Sequence, residues 1–114
     1  MATGTTTLDF GAFPGKSDAS VAVTGQTGIV AGSLVEAWIR PVATADHTAD
    51  EHLLESIKVI AGNIVAGTGF TIYGVNTNPV TEWPTAADFN QPAGGAIGKG
   101  TRIYGQWTVA WVWV

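Results

Sequence analysis

The chain has 114 residues, no cysteine and a formal net charge of −4, and 12% of its residues are charged. The length fits a single domain over residues 1–114, and the lack of cysteine excludes disulfides and zinc–thiolate sites. The five basic residues are scattered singly, which argues against binding to nucleic acid or to an anionic membrane. No apolar run approaches the ~20 residues of a membrane-spanning helix.

β-Branched and aromatic residues punctuated by 15 glycines predict short strands joined by tight turns. We expect an all-β domain, an antiparallel β-sandwich or jelly-roll-like fold of seven or eight strands. The patterns that predict strands cover, in chain order, residues 5–10, 19–24, 33–40, 53–61, 69–75 and 101–114. The expected core consists of Val21, Val23, Val35, Ile39, Ile57, Val59, Phe70, Ile72, Trp107, Val109 and Trp111.

Two local patterns interrupt the strands. Residues 29–33 (IVAGS) recur as residues 64–68 (IVAGT), and we interpret the copies as two similar hairpins, although coincidence is an alternative in a chain rich in Ala, Gly and Val. Residues 48–51 (TADE) match the capping box that starts a helix. We therefore expect at most one short helix after Thr48, and an irregular acidic loop fits residues 48–51 equally well.

The last eight residues, 107–114 (WTVAWVWV), predict a strand that is apolar on both faces. Such a strand must lie between two layers, and in so small a chain the second layer can come from another subunit. We therefore expect a homo-oligomer, either a trimer or copies arranged around a common axis. The expected subunit-interface residues are Trp107, Trp111, Trp113, Val112 and Val114.

Titratable residues cluster in one place, residues 46–52 (DHTADEH). His47 and His52, with Asp46 and Asp50, are weak candidates for metal ligands. Two histidines on one helical face need the i, i+4 spacing of H-E-x-x-H, whereas these are i and i+5. A solvated loop, whose Asp and Thr side chains cap local backbone amides, fits the segment better, so we expect no metal and no cofactor. A pH-sensitive contact with a neighbouring subunit through the histidines is a weaker alternative.

Catalytic motifs are absent from the sequence. Residues 93–100 (AGGAIGKG) fail the phosphate-loop pattern at both ends, and no serine lies in a G-x-S-x-G elbow. The chain is therefore expected not to be an enzyme.

Exposed aromatic residues offer a different role, because an indole or phenol ring can stack on a sugar. The candidate ligand-binding residues are Trp83, Tyr73, Asn76 and Asn78. Burial in the core or in a subunit interface is the alternative for such large aromatic side chains.

Residues 19–38, 44–52, 67–72 and 104–113 (the last reading YGQWTVAWVW) resemble small proteins encoded among the virion genes of tailed bacteriophages and prophages. The resemblance covers most of the chain and implies a non-enzymatic virion structural protein of the tail, baseplate or fibres. It equally allows a capsid decoration (cement) protein. A carbohydrate-binding module that recognises a host glycan is a further alternative. The implied partners are other virion proteins, and the implied location is the virion, assembled in the host bacterial cytoplasm.

Overall fold

The computed structural model describes residues 1–77 and 102–114. The secondary structure elements are β1 (Ala2–Asp9), β2 (Asp18–Val23), β3 (Val35–Ile39), α1 (Ala49–Leu54), β4 (Ile57–Val65), β5 (Gly69–Asn76) and β6 (Gln106–Trp113). The all-β expectation is confirmed, with one short helix. The described residues form six strands rather than the expected seven or eight, and these do not form an eight-stranded jelly roll.

The strands form two antiparallel sheets of three, in the orders β1-β6-β3 and β2-β5-β4. β6 is central in the first sheet, where Trp111 pairs with Gly4 on one side and with Ala37 on the other. β5 is central in the second sheet, where Ile72 pairs with Val21 and with Ala61. The two central strands carry much of the apolar sequence because they are flanked on both edges.

One hydrophobic core is shared by the two sheets. The rings of Phe70 in β5 and Trp111 in β6 meet edge-to-face, with centroids 5.4 Å apart. Leu8 of β1 packs so closely on β5 that a Cβ at Gly74 would lie 2.6 Å from its Cδ1 atom. A larger residue at position 74 would therefore force the buried Leu8 side chain to shift, and glycine allows this close packing between the sheets.

The expected core is confirmed in every member, some fully buried and others partly buried against the buried cluster. The partly buried members are Val21, Val35, Ile39, Ile57 and Val59. The sequence reasoning missed Leu8, Phe10, Ile29 and Ile103, which are also buried. Ile29 and Ile103 lie outside the named strands, so no alternation marks them.

The helix start expected from the capping-box pattern is confirmed, since Thr48 is the N-cap and its hydroxyl accepts a hydrogen bond from the Glu51 amide at 3.2 Å. The expected strand over residues 53–61 is wrong at its start, because α1 continues to Leu54 and β4 begins at Ile57. The helix and the strand meet without a glycine or proline to separate them, so the apolar run hid the boundary.

The repeated IVAG sequence forms the same turn twice. The Ser33 amide donates to the Val30 carbonyl at 3.0 Å, and the Thr68 amide donates to the Val65 carbonyl at 3.0 Å. The second turn closes the β4–β5 hairpin, but the first lies between strands of different sheets. The expectation of two similar hairpins is therefore wrong, although the local turn is shared.

Candidate functional site

The two histidines lie against the indole of Trp107, at the start of β6. The His47 ring stacks on the indole with centroids 3.8 Å apart and an interplanar angle of 18°. The His52 ring meets the same indole edge-on at 5.0 Å. Both histidines are buried, at 5% and 3% exposure, so the solvated-loop interpretation does not hold for them.

His52 supplies β6 with a hydrogen-bond acceptor that the chain beyond β3 does not offer. The Arg40 carbonyl next to β3 accepts from the Val42 amide at 2.7 Å, in a tight turn around Pro41. The Thr108 amide of β6 donates instead to Nε2 of His52 at 2.9 Å, while Nδ1 of His52 lies 2.7 Å from the Thr48 carbonyl. Since an amide only donates and a carbonyl only accepts, His52 is the neutral tautomer with its proton on Nδ1.

His47 has the opposite hydrogen-bonding environment. Its Nε2 lies 2.6 Å from the Tyr104 carbonyl, and its Nδ1 lies 2.5 Å from a carboxylate oxygen of Glu51. Both neighbours are acceptors, so both are satisfied when the ring carries two protons. The hydrogen bond from His47, and then that from the Thr48 backbone, lower the pKa of the Glu51 carboxyl below its ordinary value of 4.5.

Residues 42–52, which we call the 42–52 segment, are tied to the start of β6 by further hydrogen bonds. The Thr44 hydroxyl donates to the Gln106 carbonyl at 2.8 Å, and the Gln106 amide donates to the Asp46 carboxylate at 2.8 Å. The Thr108 hydroxyl donates to the Val42 carbonyl at 2.8 Å. The sequence reasoning missed Thr44, Tyr104 and Thr108, and the turn sequence Thr44-Ala-Asp-His47 was the one available signal for the first of them.

The weak metal candidates do not converge. Both ring nitrogens of His47 and of His52 have hydrogen-bonding neighbours in the protein, and the Asp46 carboxylate accepts from a backbone amide. Across residues 1–77 and 102–114, no three His, Cys, Asp or Glu side chains group as metal ligands would. The Nε2 atom of each ring bonds to backbone at or just before the start of β6, and each Nδ1 atom bonds within the 42–52 segment, so the two rings hold this segment against β6.

The expected subunit-interface residues differ in how far they are buried within the chain. Trp107 and Trp111 are buried within the chain's own core, which corrects their assignment as contact surface. Trp113 is half-buried, and its indole N–H donates to the Gln26 side-chain oxygen at 2.8 Å. Val112 is half-buried and Val114 is 64% exposed, so these two remain candidates for contact with another molecule.

The exposed end of β6 belongs to a larger apolar surface. Leu34 and Val114 exchange two backbone hydrogen bonds, of 3.2 and 2.9 Å, and are therefore side-by-side neighbours on the outer face of the first sheet. Leu34 is 74% exposed, and Trp38 on the same face is 46% exposed. We call Leu34, Trp38, Val112 and Val114 the apolar outer patch.

The candidate ligand-binding residues are not brought together in the described structure. Tyr73 is exposed on the outer face of the second sheet, but Asn76 is only 1% exposed. Residues 73 and 76 differ by an odd number along one strand, so their side chains lie on opposite faces. This corrects the assignment of Asn76, and Trp83 and Asn78 lie outside the described residues.

Comparison with known proteins adds no relationship: the chain matches no protein-family model, and no curated protein or solved structure matches it either. Within the described residues, no helix has the length and apolar character needed to cross a membrane.

Proposed function

We propose that this chain is a non-enzymatic structural module of a bacteriophage virion, which assembles with copies of itself in the tail, baseplate or fibres. Its two sheets would form the layers of a β-sandwich. The proposed location in a virion follows from the sequence resemblance. The proposed assembly follows from the surface of the fold.

The apolar outer patch is the observation that carries the proposal. Leu34 and Val114 adjoin at one end of the outer face, and Trp38 lies further along β3. Contiguous exposed apolar side chains are characteristic of interaction surfaces. One charged residue, Glu36, pairs with Val112 within this surface, so a molecule that covers the surface must leave this carboxylate in water or supply a partner for it.

Capsid decoration is the alternative within the same class, because it would use the same kind of surface. The carbohydrate-binding alternative is weakened by the burial of Asn76. The structural role is also favoured by the polar atoms of the histidine cluster, which are used within the chain and not aimed at a ligand.

The test is a pair of matched leucine substitutions, with mass in solution measured by size-exclusion chromatography and light scattering. We expect the wild-type chain to have a multiple of its 11.8 kDa monomer mass. Leu34→Glu places a charge in the apolar outer patch and should lower the mass of the assembly. The control, Leu54→Glu, changes another highly exposed leucine, on α1, and should leave the mass unchanged.

A wild-type chain that stays monomeric up to about 1 mM would contradict the assembly, since that corresponds to an association free energy weaker than about −4 kcal/mol. An equal loss of mass in both variants would contradict the role of the apolar outer patch.

A further inference from the structure

β1 forms an edge of the first sheet, and its free side is long and carries no charge before Asp9, its last residue. The strand runs over eight residues, Ala2–Asp9, with sequence ATGTTTLD. It has a neighbour on one side, β6, and no described strand lies beyond its other side. Strands with an unpaired row of backbone N–H and C=O groups are ready to pair with a further chain unless something prevents it.

The other three edge strands each contain a feature that discourages such pairing. β3 has five residues, includes Glu36 and is followed closely by Pro41. β2 begins with Asp18. β4 contains Lys58, and its register shifts at a bulge where Asn63 has a φ of 53°. Charges, prolines and bulges are the usual protection of natural sheet edges, and β1 has none of them before Asp9.

The free backbone groups of β1 belong to its exposed threonines. The Phe10 amide donates to the Gly105 carbonyl at 2.9 Å, so this amide points toward the chain that leads into β6. Along an antiparallel strand, every second residue bonds to the same neighbour, so the even-numbered residues of β1 bond to β6. The N–H and C=O groups of Thr3, Thr5 and Thr7 therefore point away from β6. The same three residues have exposed side chains, so threonine lines the free edge up to Asp9, the last residue of the strand.

We propose that β1 pairs antiparallel with β1 of a second copy of this chain, about a two-fold axis at Thr5. In this register Thr5 faces Thr5 of the other copy, and each Thr3 faces a Thr7. The two sheets join into one of six strands. This inference rests on the proposed function, because it names how two copies in the assembly meet.

The composition of the edge favours a second copy over a different partner. A two-fold contact brings identical residues together, so it tolerates uncharged residues and opposes charged ones. Threonine has high β-propensity, and threonines directly opposite each other form favourable cross-strand pairs. Because Thr3 also pairs with Val112, the joined sheet would extend the apolar outer patch of one copy toward that of the other.

Single cysteines test the register, because the chain has none of its own. Residues facing each other in a hydrogen-bonded antiparallel pair have Cα atoms about 5.5 Å apart, within the range for a disulfide. Thr5→Cys should therefore form a disulfide-linked dimer under mild oxidation. Thr3→Cys is the matched control, since the two Thr3 residues would be about 13 Å apart along the strand and should not cross-link.

Adding a charge at Thr5 tests the same contact without covalent chemistry. Thr5→Lys and Thr5→Glu should each lose the dimer, because like charges face each other at the two-fold axis. An equimolar mixture of the two variants should recover it. Ser20→Lys, which adds the same charge to an exposed position of β2, should dimerise as the wild type does.

Equal cross-linking by Thr5→Cys and Thr3→Cys would overturn the proposal, and so would no cross-linking by Thr5→Cys. If the wild type is oligomeric while Thr5→Cys does not cross-link, the β1 pairing fails and the proposed assembly stands. If the wild type is monomeric as well, both fail.

Discussion

The two ends of β6 have similar apolar sequences and different surroundings. At the start, Trp107 is 2% exposed and has the rings of His47 and His52 against its indole. At the other end, Trp113 is half-buried and Val114 is open to solvent. The same kind of strand is thus closed by its own chain at one end and left uncovered at the other.

The difference lies in where β3 stops pairing with β6. Beyond Ile39 the chain turns at Pro41, and the 42–52 segment takes over the hydrogen bonds of β6. At the opposite end, Leu34 continues the pairing to Val114, and no described segment folds over their outer face. A strand that is apolar on both faces therefore does not by itself require another subunit, because a loop with the right polar atoms can cover part of it.

The largest effect on stability is expected from removing the covered indole. Trp107→Ala should lower the free energy of unfolding by about 3–5 kcal/mol, because it leaves a large cavity beneath the two histidines. Trp113→Ala, at the open end, removes a half-buried ring and should cost roughly 1–2 kcal/mol. Urea unfolding of both variants measures the difference, and equal losses would show that the two ends are covered alike.

His52→Ala should have the next largest effect. The substitution leaves the buried Thr108 amide without the acceptor on which it relies, which costs about 1–3 kcal/mol. Leu53→Ala is the matched control, since Leu53 is the exposed neighbour of His52 on α1. Hydrogen exchange at the Thr108 amide should speed up in His52→Ala and stay slow in the control. Unchanged exchange in both variants would mean that the ring does not hold this amide.

The features that could be predicted from sequence are those set by neighbours along the chain. Alternation identified β6 and its core side chains, and the capping box identified the start of α1 at Thr48. The role of the histidines could not be predicted in this way. His52 bonds to a residue 56 positions away, and Asp46 bonds to one 60 positions away, and such pairs depend on how the two segments pack.

The same distinction explains the partial failure of the interface prediction. The sequence shows that Trp111 and Val114 are both apolar, and it cannot show that Phe70 of the second sheet packs on the first of them. Burial depends on which strand lies in the centre of a sheet and where its neighbours end. Both are properties of the whole topology.

The smallest effect on stability is expected from Glu51→Gln. This substitution changes a contact that His47 makes and His52 does not. The hydrogen bond from His47 lowers the pKa of Glu51 in the folded chain below its ordinary value of 4.5. A lowered carboxyl pKa stabilises the fold above the unfolded value, and this contribution is lost as the pH falls through the folded value. The wild type should therefore be slightly more stable than Glu51→Gln at pH 7, and the gap should close below about pH 4.5.

Repeating the comparison in a His47→Gln background isolates the pair. With the imidazole removed, Glu51→Gln should change the urea midpoint at pH 7 by less than it does in the wild type, because the main cause of the lowered pKa of Glu51 is gone and only the hydrogen bonds from Thr48 remain. A gap of unchanged size in the His47→Gln background would assign the stabilisation to the hydrogen bonds that Thr48 donates to the Glu51 carboxylate. In that case His47 would hold the 42–52 segment through the Tyr104 carbonyl and its stacking on Trp107.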